Sequence, residues 1–145
     1  MSEPLEYHDT VRDEWIDYNG HLSEPFYVMV FGFATTHLME VTGLGERYRA
    51  ETGCSLYTVE AHVRYLREVG PRADLHVSTS VLSVGARKVR LCHEMRVGGD
   101  LVATEELLCV HVGDARAAPF PESVARALRR HLAPAPDYAG RAISS

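Results

Sequence analysis

Cysteine is scarce: Cys54, Cys92 and Cys109 are an odd number with no CxxC spacing, which argues against a disulfide framework and leads to the expectation of a reduced, cytoplasmic protein. Long apolar runs are missing too. The longest uncharged stretch, Pro25 to Met39, covers fifteen residues and includes Gly32, Thr35, Thr36 and His37, too short and too polar for a bilayer span. The acidic start Met-Ser-Glu-Pro-Leu-Glu has no apolar core behind it, so no membrane association is expected. Positive charge is in deficit, with 15 Lys and Arg against 20 Asp and Glu and a net charge of −5, so a phosphate polymer is repelled and nucleic acid is not an expected partner. Neither GxGxxG nor a P-loop occurs, and the eight histidines show no HxH or HExxH spacing, so no metal site is expected.

What is present is the balance of a soluble domain: 145 residues, 46% hydrophobic and 24% charged. One domain is expected over residues 1–133, followed by a flexible Pro/Ala/Gly/Ser tail over 134–145. A short strand is predicted from Tyr7 to Trp15, ending at the turn formers Asp17-Tyr18-Asn19-Gly20. Ser23 suits a helix N-cap and Pro25 fits the first helical turn. From Phe26 to Leu44 apolar residues recur at three-to-four spacing on one side while Phe26, Met29 and Phe33 make the other side apolar, as in an enclosed helix; Gly43 and Gly45 stop it.

The period then changes to two. Tyr57, Val59, Ala61, Val63 and Tyr65 alternate with Thr58, Glu60, His62 and Arg64, placing the two sets on opposite faces of one strand. Further strands are predicted over Leu75–Val84, Lys88–Val97 and Leu101–Val112, separated by glycine-containing turns. Val124, Leu128 and Leu132 mark a short C-terminal amphipathic helix. The order implies an α+β domain, an antiparallel sheet of about five strands wrapped round one long buried helix. A sheet and helix so arranged leave an edge and a face to cover, so a homo-oligomer is expected, a dimer or a dimer of dimers.

The densest polar constellation, Asp17-Tyr18-Asn19-Gly20-His21, falls where the first strand meets the amino end of the central helix. A helix amino terminus presents unpaired N–H groups and about half a positive charge, suited to a developing oxyanion, and a carboxylate beside it can attack or activate water. The same Asp17 and Asn19 also suit a plain turn that bonds its own backbone, and Gly20 suits a positive φ. His21 is open between acid–base work and a loop contact. Glu60 and His62, two apart on one strand face, either meet Asp17 of a partner copy or belong to a solvated face.

Trp15-Ile16-Asp17-Tyr18-Asn19-Gly20-His21-Leu22, with Tyr27 following in the helix, resembles the D-x-N-G-H motif of hot-dog-fold acyl-CoA thioesterases, in the branch similar to 4-hydroxybenzoyl-CoA thioesterase. The resemblance covers about Tyr7 to Leu132 and implies hydrolysis of an acyl-CoA without a metal or any cofactor besides the CoA of the substrate. It implies a site at a subunit interface, with Asp17 as nucleophile or general base, Asn19 and His21 orienting it, and the Glu24 amide polarising the carbonyl. Where family members continue with Asn-Asn, this chain has Ser23-Glu24 before Pro25. Coenzyme A brings phosphates, for which Arg87, Lys88 and Arg90 after the Gly85 turn are the first candidates and Arg64 and Arg67 the others. WIDYNGH also resembles carnitine-pathway thioesterases acting on betainyl-CoA, whose cation would favour aromatic faces, here Trp15, Tyr18, Tyr57 or Tyr65. Two other classes stay open: a hot-dog hydratase or dehydratase, disfavoured because Gly20 directly precedes His21 with no matching proline, and a non-catalytic acyl-CoA-binding module.

Overall fold

A computed structural model describes residues 4–144. Its elements run β1 (Leu5–Thr10), a single 3-10 turn (Asp13–Trp15), α1 (Glu24–Thr42), α2 (Glu46–Thr52), β2 (Ser55–Tyr65), β3 (Asp74–Val84), β4 (Lys88–Val97), β5 (Asp100–Gly113), β6 (Arg116–Ala117) and α3 (Glu122–Arg129). The antiparallel sheet has the order β1-β3-β4-β5-β2, with the two-residue β6 added beside β5. This is the expected hot-dog architecture with one short strand, β6, and one short helix, α2, more than anticipated.

The central helix has the ends its sequence suggests, although the Ser23 hydroxyl makes no capping bond. Ser23 is extended at the N-cap, Pro25 lies in the first turn, and Gly43 closes the helix at φ 85°, a left-handed conformation that a side chain would strain. Tyr27, Val30, Phe31, Ala34 and Leu38 are buried against the sheet. Val28, Phe33 and Val41 stay exposed, so one chain covers only part of the helix that its sequence marks as enclosed.

Three expectations need correction. The first strand stops at Thr10, because Val11 already donates to the Ala73 carbonyl and Asp13–Trp15 wind into the 3-10 turn. In β2 the register against β5 shifts between Thr58 and Glu60, leaving Val59 as an extra residue. That bulge exchanges the faces: Thr58 pairs with the inward Cys109 while Tyr57 pairs with Val110, and beyond it Ala61, Val63 and Tyr65 turn inward while Glu60, His62 and Arg64 turn outward. Finally, residues 134–140 are no loose tail. Tyr138 lies under the Arg64 guanidinium, 3.9 Å from its ring centroid, and donates to Glu94 at 2.7 Å, while the Gly140 amide donates to Glu106 at 2.8 Å. A Pro/Ala/Gly composition says nothing of one aromatic anchor, and this segment crosses the outer face of the sheet.

Two titratable groups are buried side by side on the inner face, His93 of β4 and Glu105 of β5, which are register partners. His93 is held by Thr35 and Thr79 hydroxyls, each at 2.7 Å, and stacks on Phe31. Burial lowers the His93 pKa to about 3 and raises that of Glu105 to about 7. Unfolded chain would protonate His93 near 6.5, so its contribution is complete above that pH and is lost as pH falls toward 3. Glu105 acts in the opposite direction: unfolded chain loses its proton near 4.5 and folded chain near 7, so stability falls as pH rises between them. Urea titrations of Glu105→Gln should therefore show stability climbing more steeply from pH 4.5 to 6.5 than in wild type, the difference reaching on the order of 3 kcal/mol near neutrality. Parallel curves would contradict the assignment.

Candidate active site

The loop from Asp17 to His21 is closed by its own backbone. Asp17 N–H donates to the His21 carbonyl at 2.9 Å, and Gly20 N–H, at φ 80°, donates to the Asp17 carbonyl at 3.0 Å. Asp17 Oδ1 accepts the Asn19 amide at 2.9 Å, which fixes the carboxyl and leaves Oδ2 with no protein partner among the described residues. The turn reading is met by one carboxyl oxygen, which builds the loop, and the other oxygen is left available. It is the Asn19 main chain that orients Asp17.

The same loop is tied to the helix. Leu22 N–H donates to the Val69 carbonyl and Ser23 N–H to the Trp15 carbonyl, at 2.8 and 2.9 Å. Phe26 N–H turns back to the Ser23 carbonyl at 3.0 Å, and Pro25 has no N–H. Glu24 N–H is left as a donor without a protein partner among the described residues, at the positive end of a 19-residue helix. Asp17 and Glu24 open onto one cleft of about 680 Å³, together with Asn19, His21, Tyr27 and Tyr65.

Tyr27 and Tyr65 meet edge to face at 5.1 Å between centroids, and the Tyr27 hydroxyl donates to the Arg67 carbonyl at 3.2 Å. Burial raises the Tyr27 pKa, helped by the negative Glu68 and Asp17 nearby; burial also raises Tyr65, with Glu24 and Glu105 adding to it. His21 Nε2 lies 3.2 Å from Glu68, the acidic neighbour that sequence spacing does not reveal because it comes from the loop after β2. Arg67 lines the cleft near Asp100, at 3.6 Å.

Other expected site residues lie elsewhere within the chain. Trp15 is buried beneath the loop, stacked on Phe26 at 5.8 Å with the Arg12 guanidinium 5.3 Å from its ring, so its face is not open to a ligand. Tyr18 projects at the turn tip, 98% exposed, and does not line the cleft. Glu60, His62 and Arg90 line a second cavity of about 400 Å³ on the outer sheet face with Glu106, which pairs with Arg90 at 2.6 Å. Lys88 pairs with Val110, whereas Tyr65 pairs with Ala103, so Arg87, Lys88 and Arg90 belong to the opposite end of the strands from the cleft. Within one chain, Arg67 is the cation nearest to hand. Among the described residues no group of three or more His, Cys, Asp or Glu is placed to hold a metal ion, and no helix is long and apolar enough to cross a membrane.

A carboxyl with a free oxygen and a free amide at a helix mouth, on residues that line one cleft in a hot-dog frame, are the groups the D-x-N-G-H resemblance calls for. The sequence profile described as the thioesterase-like superfamily matches residues 11–128. The chain belongs to that superfamily. It is a hot-dog-fold acyl-CoA thioesterase. Betainyl-CoA thioesterase of Pseudomonas aeruginosa is 36% identical over 99% of this thioesterase and 96% of that relative. The L-carnitine dehydrogenase/betainyl-CoA thioesterase of Agrobacterium fabrum is 41% identical over 97% of this thioesterase, a match that spans 30% of the longer relative. A Staphylococcus aureus protein solved in complex with CoA superposes with a TM-score of 0.92, covering 100% of this chain and 98% of that one at 22% identity, which speaks to the fold. The hydratase and binding-module alternatives give way to this family membership.

Proposed function

We propose that this thioesterase hydrolyses betainyl-CoA to betaine and free CoA, with Asp17 as its catalytic carboxylate and the Glu24 amide as its oxyanion donor. The observation that carries the reading is that Asp17, with its free Oδ2, and Glu24, with its free N–H, line the same cleft. The thioester carbonyl oxygen accepts the Glu24 N–H, so the charge that develops on it is met by the helix terminus. Asp17 either adds to the carbonyl carbon or takes a proton from the water that does. In both routes the C–S bond breaks, the electron pair leaves with sulfur as CoA thiolate, and water supplies the oxygen of the released acid.

Support for a cationic acyl group comes from the two named relatives and from the cleft itself. Asp17, Glu24 and Glu68 outnumber Arg67 as fixed charges there, and the Tyr27 and Tyr65 rings form its apolar wall. The exposed edge strand β2, with Tyr57 and Val59, and the uncovered Val28, Phe33 and Val41 of α1 support pairing of two copies. A thiol-release panel tests the substrate. Betainyl-CoA should exceed its uncharged carbon isostere, 3,3-dimethylbutyryl-CoA, by about tenfold or more in kcat/KM, the worth of one desolvated cation–π contact. A preference for 4-hydroxybenzoyl-CoA or for the isostere would overturn it.

A further inference from the structure

The inner face of β5 reads Ala103, Glu105, Leu107 and Cys109, and Glu105 is the one acid in that apolar stripe. It is only 4% exposed, yet among the described residues nothing bonds or ion-pairs with its carboxyl. Each neighbour is unable to serve. Val63 opposite it on β2 is apolar. On β4, His93 already gives both ring nitrogens to Thr35 and Thr79, the former reaching in from α1. Leu107 and Cys109 follow on its own strand, and the Cys109 thiol lies against Thr58. A carboxyl buried without a partner weakens the fold, so packing alone gives no reason for it. No fully enclosed side-chain N or O among the described residues lacks a partner, so the unpartnered Glu105 carboxyl must border a space of solvent size.

Glu105 does not itself line the active-site cleft; Tyr65 links the two. Tyr65, which lines the cleft, points inward two residues along β2 from Val63, the direct neighbour of Glu105, and its hydroxyl feels the charges of both Glu24 and Glu105. In a trimethylammonio-acetyl thioester the nitrogen stands one methylene from the carbonyl carbon, about 2.5 Å away. Glu24, Tyr27 and Tyr65 line the same cleft, so a short acyl group whose carbonyl oxygen rests on the Glu24 amide has these two rings as cleft walls.

We infer that Glu105, which lies opposite Val63 and so two residues along the strand from the pairing position of Tyr65, is the counter-charge for the quaternary ammonium of the acyl group and determines specificity for a cationic over a neutral substrate. The inference rests on the betainyl-CoA reading above. Glu105 acts on the ammonium and not on the reacting atoms. The rings take up the methyl groups, and the carboxyl, in surroundings of low dielectric, supplies the charge that rings alone lack.

The test compares betainyl-CoA with 3,3-dimethylbutyryl-CoA on wild type and Glu105→Gln, which removes the charge at nearly constant volume. The expected result is that the ratio of kcat/KM values, betainyl over neutral, falls at least tenfold in the variant, with the change in the KM for betainyl-CoA. A folded variant with an unaltered ratio, including equal losses on both substrates, overturns the inference and leaves the substrate reading standing. A wild-type ratio near one overturns the substrate reading itself. Should the variant not fold, wild type decides: millimolar tetramethylammonium chloride should inhibit hydrolysis of the neutral isostere competitively where sodium chloride at equal strength does not, and equal effects of the two salts overturn the inference.

Discussion

Asp17→Asn should lower kcat for acyl-CoA hydrolysis by about a thousandfold or more while shifting the melting temperature by no more than a degree or two. The substitution keeps the shape of the side chain and its amide oxygen still accepts the Asn19 N–H, so the 2.9 Å bond that shapes the loop survives. What disappears is the charge on Oδ2. An amide oxygen neither adds to a thioester nor takes a proton from water at neutral pH, so both routes fail together. Thiol release under single-turnover conditions measures this directly. Activity near the wild-type level in a folded Asn variant would remove Asp17 from the chemistry, whatever its place in the cleft.

The second large effect concerns a main-chain atom. Glu24→Pro deletes the N–H together with the side-chain carboxylate but leaves the backbone path intact, since Ser23 is already extended at φ −71° and ψ 145°, the conformation a following proline favours, and the first helical position tolerates proline. Loss of one oxyanion donor costs about a hundred- to a thousandfold in kcat in enzymes of this kind. Glu24→Gln is the companion measurement. It alters the exposed side chain and keeps the amide, so kcat should stay close to wild type if the backbone is the active part. A Gln variant as slow as the Pro variant would transfer the role to the carboxylate.

Sequence made the entry to this site readable because its determinants are local. Asp17 to Gly20 are turn formers, Ser23 and Pro25 suit a first helical turn, and Gly43 takes the positive φ its position foretold. Residues supplied from a distance were hidden. Glu68 reaches His21 and Tyr65 reaches Tyr27 only once β2 lies beside the helix, and no spacing encodes that. Glu105 did leave a signal, an acid at an inward position between Ala103 and Leu107, but reading it requires knowing which face of β5 is inward. In β2 simple alternation failed at a single residue, because the extra Val59 reversed every side chain before it relative to those after it. Composition alone also misjudged residues 134–140, where one tyrosine ring under Arg64 decides the outcome.

The extra residue in β2 bears on how the molecule avoids fibres. An open edge of eleven regular residues would offer any passing chain an unbroken row of amides and carbonyls, and each added strand would present the next. Val59 interrupts that row near its middle and increases the local twist, so an incoming strand finds only short matching halves. Growth by repeated addition is thereby discouraged, while a closed two-fold match, in which both edges carry the same irregularity, is still open to it.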